Sequence, residues 1–169
     1  MVSAIRFGDD AADELSQLGL SDIESTVAWG NSQSGRLLRQ FMFDGFNEDL
    51  NGRKVFDGVI PVIAGGGFGM FNNRFAMPTR TNGQHSNHLY PNDLFPFTYG
   101  ESTDPFTGRT DSILGKARAS STVPKVMHIQ TSNEYWVRGG SLAHTNPQGT
   151  KDAVLPEEVR FYSIGGSQH

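Results

Sequence analysis

In the stretch TVAWGNSQSGRLLRQF, residues 26–41, Ser32 has small residues on both sides, Gly30 two before it and Ser34 two after. Asn31 and Gln33 lie between them, and Gly35 follows. An apolar run leads in and an amphipathic run leads out. A serine held on a tight turn between a strand and a helix is presented as a nucleophile, and that turn tolerates only small residues two positions away. The strict pattern has Gly at both positions, and here the second is Ser34. Ser34 fits the nucleophile's place less well, because Arg36 would occupy its own tight position. The Gln33 backbone N–H would fall at a helix start, where it can donate to an oxyanion.

A serine needs a base, and the base needs an orienting acid. Glu134 comes just after the strand-like run KVMHIQTS, and His169 just after VRFYSIGG. Both fall at C-terminal ends of strands, where an open α/β sheet places its ligands. Asp104, Asp111 and Asp152 are competing carboxylates for the acid. The chemistry of such a set is acyl transfer. The histidine takes the serine proton, the serine attacks an ester carbonyl, and water releases the acyl group. It calls for a small-molecule ester and for no metal or organic cofactor.

The elements that would position these residues can be read along the chain. GDDAADELSQL (8–18) has acidic residues where a helix start favours them. IESTVAWG (23–30) reads as a largely buried strand. From Ser34 onward, Leu37, Leu38, Phe41, Met42 and Phe46 are near helical spacing and predict a buried helix face including Phe43, with Arg36 and Arg39 solvated or paired with acids. VFDGVIPVIAGGG (55–67) is a second strand, with an end or bulge at Pro61. Residues 66–108 have no sustained period, and their aromatics predict a packed, lid-like excursion with an apolar acyl or alcohol pocket beneath it. TDSILGKARAS (110–120) predicts a short helix and VPKVMHIQTS (123–132) a third strand. NEYWVRGGSLAH (133–144) predicts a helix with Asn133 as N-cap, and EVRFYSIGGSQH (158–169) a fourth strand with a terminal loop. Strands alternating with helices predict an α/β fold with a mostly parallel sheet and flanking helices.

Composition bounds the alternatives. At 169 residues the chain is about one domain. The net charge is −4 and the 14 Lys and Arg are scattered, so nothing marks a nucleic-acid surface. There is no cysteine, which excludes a disulfide framework, a thiolate metal site and a cysteine nucleophile. No apolar run reaches the roughly 18 residues of a membrane span. No signal peptide is visible, which makes the cytoplasm the default expectation. His85 and His88 in QHSNH, with Asp93 nearby, have near-ligand spacing but no second ligand pair, so no metal site is expected. His128 reads as a core residue and His144 as structural. GGGFG (65–69) lacks dinucleotide spacing, and there is no P-loop. Trp29, Tyr135 and Trp136 read as core or pocket wall.

The segments GNSQSGRLLRQFMFDGFNED, FDGVIPVIAGGG, DLFPFT, TDPFTGRTDSIL, EYWVRGGSLAHT and VRFYSIGGSQH together make the chain resemble the α/β-hydrolase superfamily, and within it a family of α/β-hydrolase-domain proteins with a G-x-S-Q-S-G-R elbow. The resemblance covers most of residues 24–169. It implies Ser32 as nucleophile, Glu134 as acid, His169 as base and Gln33 as oxyanion donor. Such a domain has further strands before the elbow, one of whose loops supplies a second oxyanion N–H. The chain therefore reads as a single partial domain, cut on its N-terminal side, with weak activity and an uncovered sheet edge open to self-association. The other reading of the same residues is a non-catalytic remnant or binding module that keeps part of the fold.

Overall fold

The computed structural model describes residues 1–8, 23–69, 71 and 94–169. The expected helix 8–18 falls almost wholly outside the described residues, as do His85, His88 and Asp93. The described elements are α1 (Val2–Phe7), β1 (Val27–Asn31), α2 (Gln33–Asp44), β2 (Gly58–Val62), β3 (Ser102–Thr103), β4 (Thr110–Asp111), α3 (Gly115–Ala119), β5 (Lys125–Thr131), α4 (Ser132–Val137) and β6 (Val159–Ile164). A 3₁₀ turn covers Gly140–Ala143.

Alternation of side chains along each strand decides which face is buried. β1, β2, β5 and β6 form a four-stranded parallel sheet in that order. Its register sets Ala28, Val59, Val126 and Val159 side by side in one row across all four strands. All four are buried in a core with Met42, Phe68, Tyr99, Ile113 and Leu114. Burying one such larger apolar side chain contributes about 1.5–3 kcal/mol. α2 packs against β1 and β2 and touches α3. This is the mostly parallel sheet with flanking helices that the sequence predicts.

Several local expectations are corrected. β1 is not largely buried: it alternates, and Trp29 is 63% exposed. Trp29, Met127, Tyr162 and Ile164 lie on the opposite, exposed face of the sheet. Pro61 neither ends β2 nor makes a bulge. It sits inside the strand opposite Gly30. Pairing with β5 runs through Val59–Val126 and Val62–Ile129, equal steps on both strands, passing over the residue that has no N–H to give.

Phe46 lies beyond the end of α2 and is 53% exposed, because Gly45 ends the helix at φ 84°. Arg39 is fully buried rather than solvated or paired with an acid. Thr110 and Asp111 belong to a hairpin instead of a helix. Asp104 accepts from Phe106 N–H and from the Thr107 hydroxyl, and Gly108 takes φ 70°, which closes the turn between β3 and β4. The helix follows only at Gly115–Ala119. Within 94–108, Thr98 and Tyr99 are buried against the core.

Candidate active site

The turn after β1 is strained. Ser32 has φ 52° and ψ −114°, a region that costs a non-glycine residue on the order of 1–3 kcal/mol. Its N–H donates to Val62 O at 2.8 Å, and its carbonyl accepts Arg36 N–H at 3.0 Å as the first bond of α2. The chain is tight where it doubles back. A Cβ on Gly30 would lie 2.6 Å from Ser34 O. A Cβ on Gly35 would lie 2.9 Å from both Gly30 O and Val62 O. Ser34 itself is exposed, so Gly35 is the residue after Ser32 that must be small. Asn31 accepts from Trp29 Nε1 at 2.7 Å. Gln33 opens the helix, at the positive end of its dipole.

Two strands along, β5 ends at Thr131 and α4 begins at once. Thr131, not Asn133, is the N-cap, and it forms a capping box with Glu134. The Thr131 hydroxyl accepts the Glu134 N–H, and the Glu134 carboxylate reaches back to the Thr131 N–H at 2.9 Å. The Thr131 hydroxyl also donates to Glu134 Oε2. With Oε2 held by position 131, Oε1 is left facing the end of the chain. There it accepts from His169 Nδ1 at 2.7 Å and from Asn133 Nδ2 at 3.4 Å. Glu134 is fully buried, while the His169 side chain is 44% exposed.

Burial pushes the Glu134 carboxyl up, but the bonds from His169, from the Thr131 side chain and backbone and from Asn133 outweigh it, so its pKa lies below the ordinary glutamate value. The competing carboxylates are occupied elsewhere. Asp104 closes the hairpin turn, Asp111 pairs with Arg109, and Asp152 is 3.9 Å from His144.

The segment carrying His169 follows β6 as Gly165-Gly166-Ser167-Gln168. Gly166 N–H donates to Ser132 Oγ at 3.0 Å. A cleft of about 590 Å³ opens beside His169, between this turn and the α4 residues Ser132, Asn133 and Trp136. Trp136 is 87% exposed on it. Ser32 does not line that cleft, and among the described residues no hydrogen bond joins Ser32 Oγ to His169.

Beneath the sheet's C-terminal end lies a separate buried polar cluster. Arg39 donates to Gly66 O at 2.8 Å, Phe97 O at 2.6 Å and Gly67 O at 3.3 Å. The Tyr99 hydroxyl is 2.7 Å from His128 Nδ1, and Gln130 Nε2 is 2.9 Å from His128 Nε2. Burial first, and the nearby Arg39 charge second, hold His128 well below the ordinary histidine pKa, so it is neutral. The Tyr135 hydroxyl is hydrogen-bonded to His144 Nε2. Among the described residues, no group of three or more His, Asp or Glu could hold a metal.

Sequence reasoning passed over Thr131 and Ser132. The signal for the first was present: Thr131-Ser132-Asn133-Glu134 is T-x-x-E, the pattern of a capping box.

A parallel sheet with helices packed on it, a strained strand-to-helix turn and an acid–histidine pair at later strand ends define an α/β hydrolase fold. The chain belongs to the alpha/beta hydrolase domain family, whose match extends over residues 1–169. No curated protein and no solved structure matches it. Among the described residues no helix is long and apolar enough to cross a membrane.

Proposed function

We propose that this chain is a serine hydrolase that cleaves carboxylic esters, with Ser32 as nucleophile, His169 as general base and Glu134 as its orienting acid. The observation that carries the reading is the 2.7 Å contact between His169 Nδ1 and Glu134 Oε1. An ionised carboxylate only accepts hydrogen bonds, so Nδ1 is the donor in this contact, and in the neutral imidazole that tautomer puts the lone pair on Nε2. Nε2 is therefore the atom that takes the Ser32 proton as Oγ bonds to the ester carbonyl carbon. The Gln33 N–H, at the start of α2, stabilises the resulting oxyanion. His169 then returns the proton to the leaving alkoxide. Water, deprotonated by the same Nε2, attacks the acyl-serine, and the acid leaves as the acyl–Oγ bond breaks and Nε2 hands its proton to Ser32 Oγ. Gly30 and Gly35 let the turn close around Ser32, with Asn31 and Ser34 completing it.

Hydrogen bonds to a catalytic base often tighten only once substrate binds. The open Ser32–His169 contact nevertheless favours a second reading, a binding module that keeps the fold without the chemistry. Hydrolysis of 4-nitrophenyl acetate and butyrate by wild type, Ser32→Ala and His169→Ala separates the two. The esterase reading expects turnover that drops on the order of 10⁴-fold in either variant. Equal rates in all three proteins would support the binding module.

A further inference from the structure

We infer that Ser132 is a positioning residue for His169: its hydroxyl anchors the glycine turn that carries the base and so sets where the imidazole stands relative to the sheet. The inference rests on the hydrolase reading above and concerns how that site is held. The turn has little else to hold it. An added Cβ at Gly165 or Gly166 would meet nothing within 4 Å, and Gly166 has φ 72°. Ser167 Oγ bonds back to Ile164 O at 2.7 Å, which is local to the turn itself. Beyond that local bond to the end of β6, two hydrogen bonds tie the segment 165–169 to the rest of the described residues. One is Gly166 N–H to Ser132 Oγ, and the other is His169 Nδ1 to Glu134 Oε1.

Both ties end on the first turn of α4, within three residues of each other. That turn is rigid, because the Thr131–Glu134 capping box locks it to the end of β5. With the Ser132 anchor in place, both the backbone at Gly166 and the imidazole at Nδ1 are tied to α4. Without it, the tie that remains among the described residues between the turn and α4 is the Glu134 contact, and the turn contains two adjacent glycines, which are the residues with the most backbone freedom. A base displaced by about 1 Å costs a reaction on the order of 10²-fold. Ser132 touches no reacting atom in this scheme and acts only through the turn.

The test compares Ser132→Ala, Ser132→Thr and Ser132→Val in the full chain. Thr restores an Oγ acceptor, and Val matches Thr in shape without one. Val thus serves as the control if Ala perturbs folding. The first readout is inactivation of Ser32 by a fluorophosphonate, resolved into binding and bond formation. The second is the downfield ¹H resonance of the His169 Nδ1 proton shared with Glu134. The inference expects bond formation to slow about 10- to 100-fold in Ala and Val with binding unchanged, and to recover in Thr. It also expects the downfield proton to broaden or vanish in Ala and Val and to persist in wild type and Thr.

The inference is overturned if Ala and Val keep wild-type inactivation rates and a sharp proton signal, or if Thr is no better than Val. The proton readout does not require serine chemistry. If wild type itself fails to react with the fluorophosphonate, the hydrolase reading fails, while the NMR comparison still decides whether Ser132 holds His169.

Discussion

Replacing Thr131 with Val keeps the shape of the side chain and removes its hydroxyl, and two bonds go with it. The first is the cap, Glu134 N–H to Thr131 Oγ1, whose loss costs typically about 1 kcal/mol. The second is the hydroxyl donated to Glu134 Oε2. A hydrogen bond to a charged group contributes about 1.5–3 kcal/mol, and this carboxylate is fully buried. Together they amount to about 3 kcal/mol, a large part of the roughly 5–15 kcal/mol that holds a domain folded. With a urea dependence of about 2 kcal/mol per molar, the unfolding midpoint should fall by roughly 1.5 M at neutral pH.

The pH dependence separates the two losses. The folded Glu134 pKa is depressed below the ordinary 4.5. Its contribution is therefore fully present above that value and is lost as pH falls through the lower, folded one. The deficit of Thr131→Val should be complete at pH 7 and shrink towards the share of the cap, about 1 kcal/mol, as pH falls through the folded value. Urea unfolding of both proteins as a function of pH measures this. A deficit below about 0.5 kcal/mol at pH 7, or one that stays the same size down to acid unfolding, would refute the assignment of the hydroxyl to the carboxylate.

Other perturbations have outcomes worked from the same contacts. Gly35→Ala drives a Cβ to 2.9 Å from Val62 O, the acceptor of the Ser32 N–H. It should cost about 1–3 kcal/mol in thermal unfolding and slow modification of Ser32, and a variant as stable and reactive as wild type would contradict the packing. Arg39→Met should destabilise by about 3–5 kcal/mol by leaving two buried carbonyls and one part-buried carbonyl without their donor. Arg39→Lys should recover little, since one ammonium cannot reproduce the guanidinium fork; denaturant melts that rank Lys with wild type would count against this.

His128, buried and neutral, lets the unfolded chain take up a proton that the folded chain refuses. Stability should thus be retained above the ordinary histidine pKa of 6.5 and decline below it, by about 1.4 kcal/mol per pH unit for this one group. His128→Gln should flatten that decline below pH 6.5, and an unchanged slope in urea titrations would show that His128 is not its source.

The fold class was legible because apolar runs of strand length alternate with helical spacing, as in TVAW, GVIPV and KVMHI. Detail was lost where tertiary context overrides local pattern. Arg39 carries a charge on an amphipathic helix, which reads as solvent-facing; only the carbonyls of residues 66, 67 and 97, far away in sequence, make its burial possible. Trp29 looks like core by type, yet strand alternation places it opposite Ala28 and Gly30, on the other face. The hairpin was missed although Asp104-Pro105-Phe106-Thr107-Gly108 is a turn signal, because the excursion around it has no period against which to set a strand. Chain order was enough to nominate Ser32, Glu134 and His169 from one dimension. It could not supply the distance from Ser32 to His169, nor could it show that Gly35, and not Ser34, is the residue under steric pressure.

The most direct measurement is treatment of the folded chain with a fluorophosphonate, with the modified residue mapped by mass spectrometry in wild type, His169→Ala and Glu134→Gln. The serine-hydrolase account predicts a single adduct on Ser32, abolished in His169→Ala and strongly slowed in Glu134→Gln. No adduct on a chain shown to be folded, or an adduct on Ser32 that forms equally fast without His169, would contradict it.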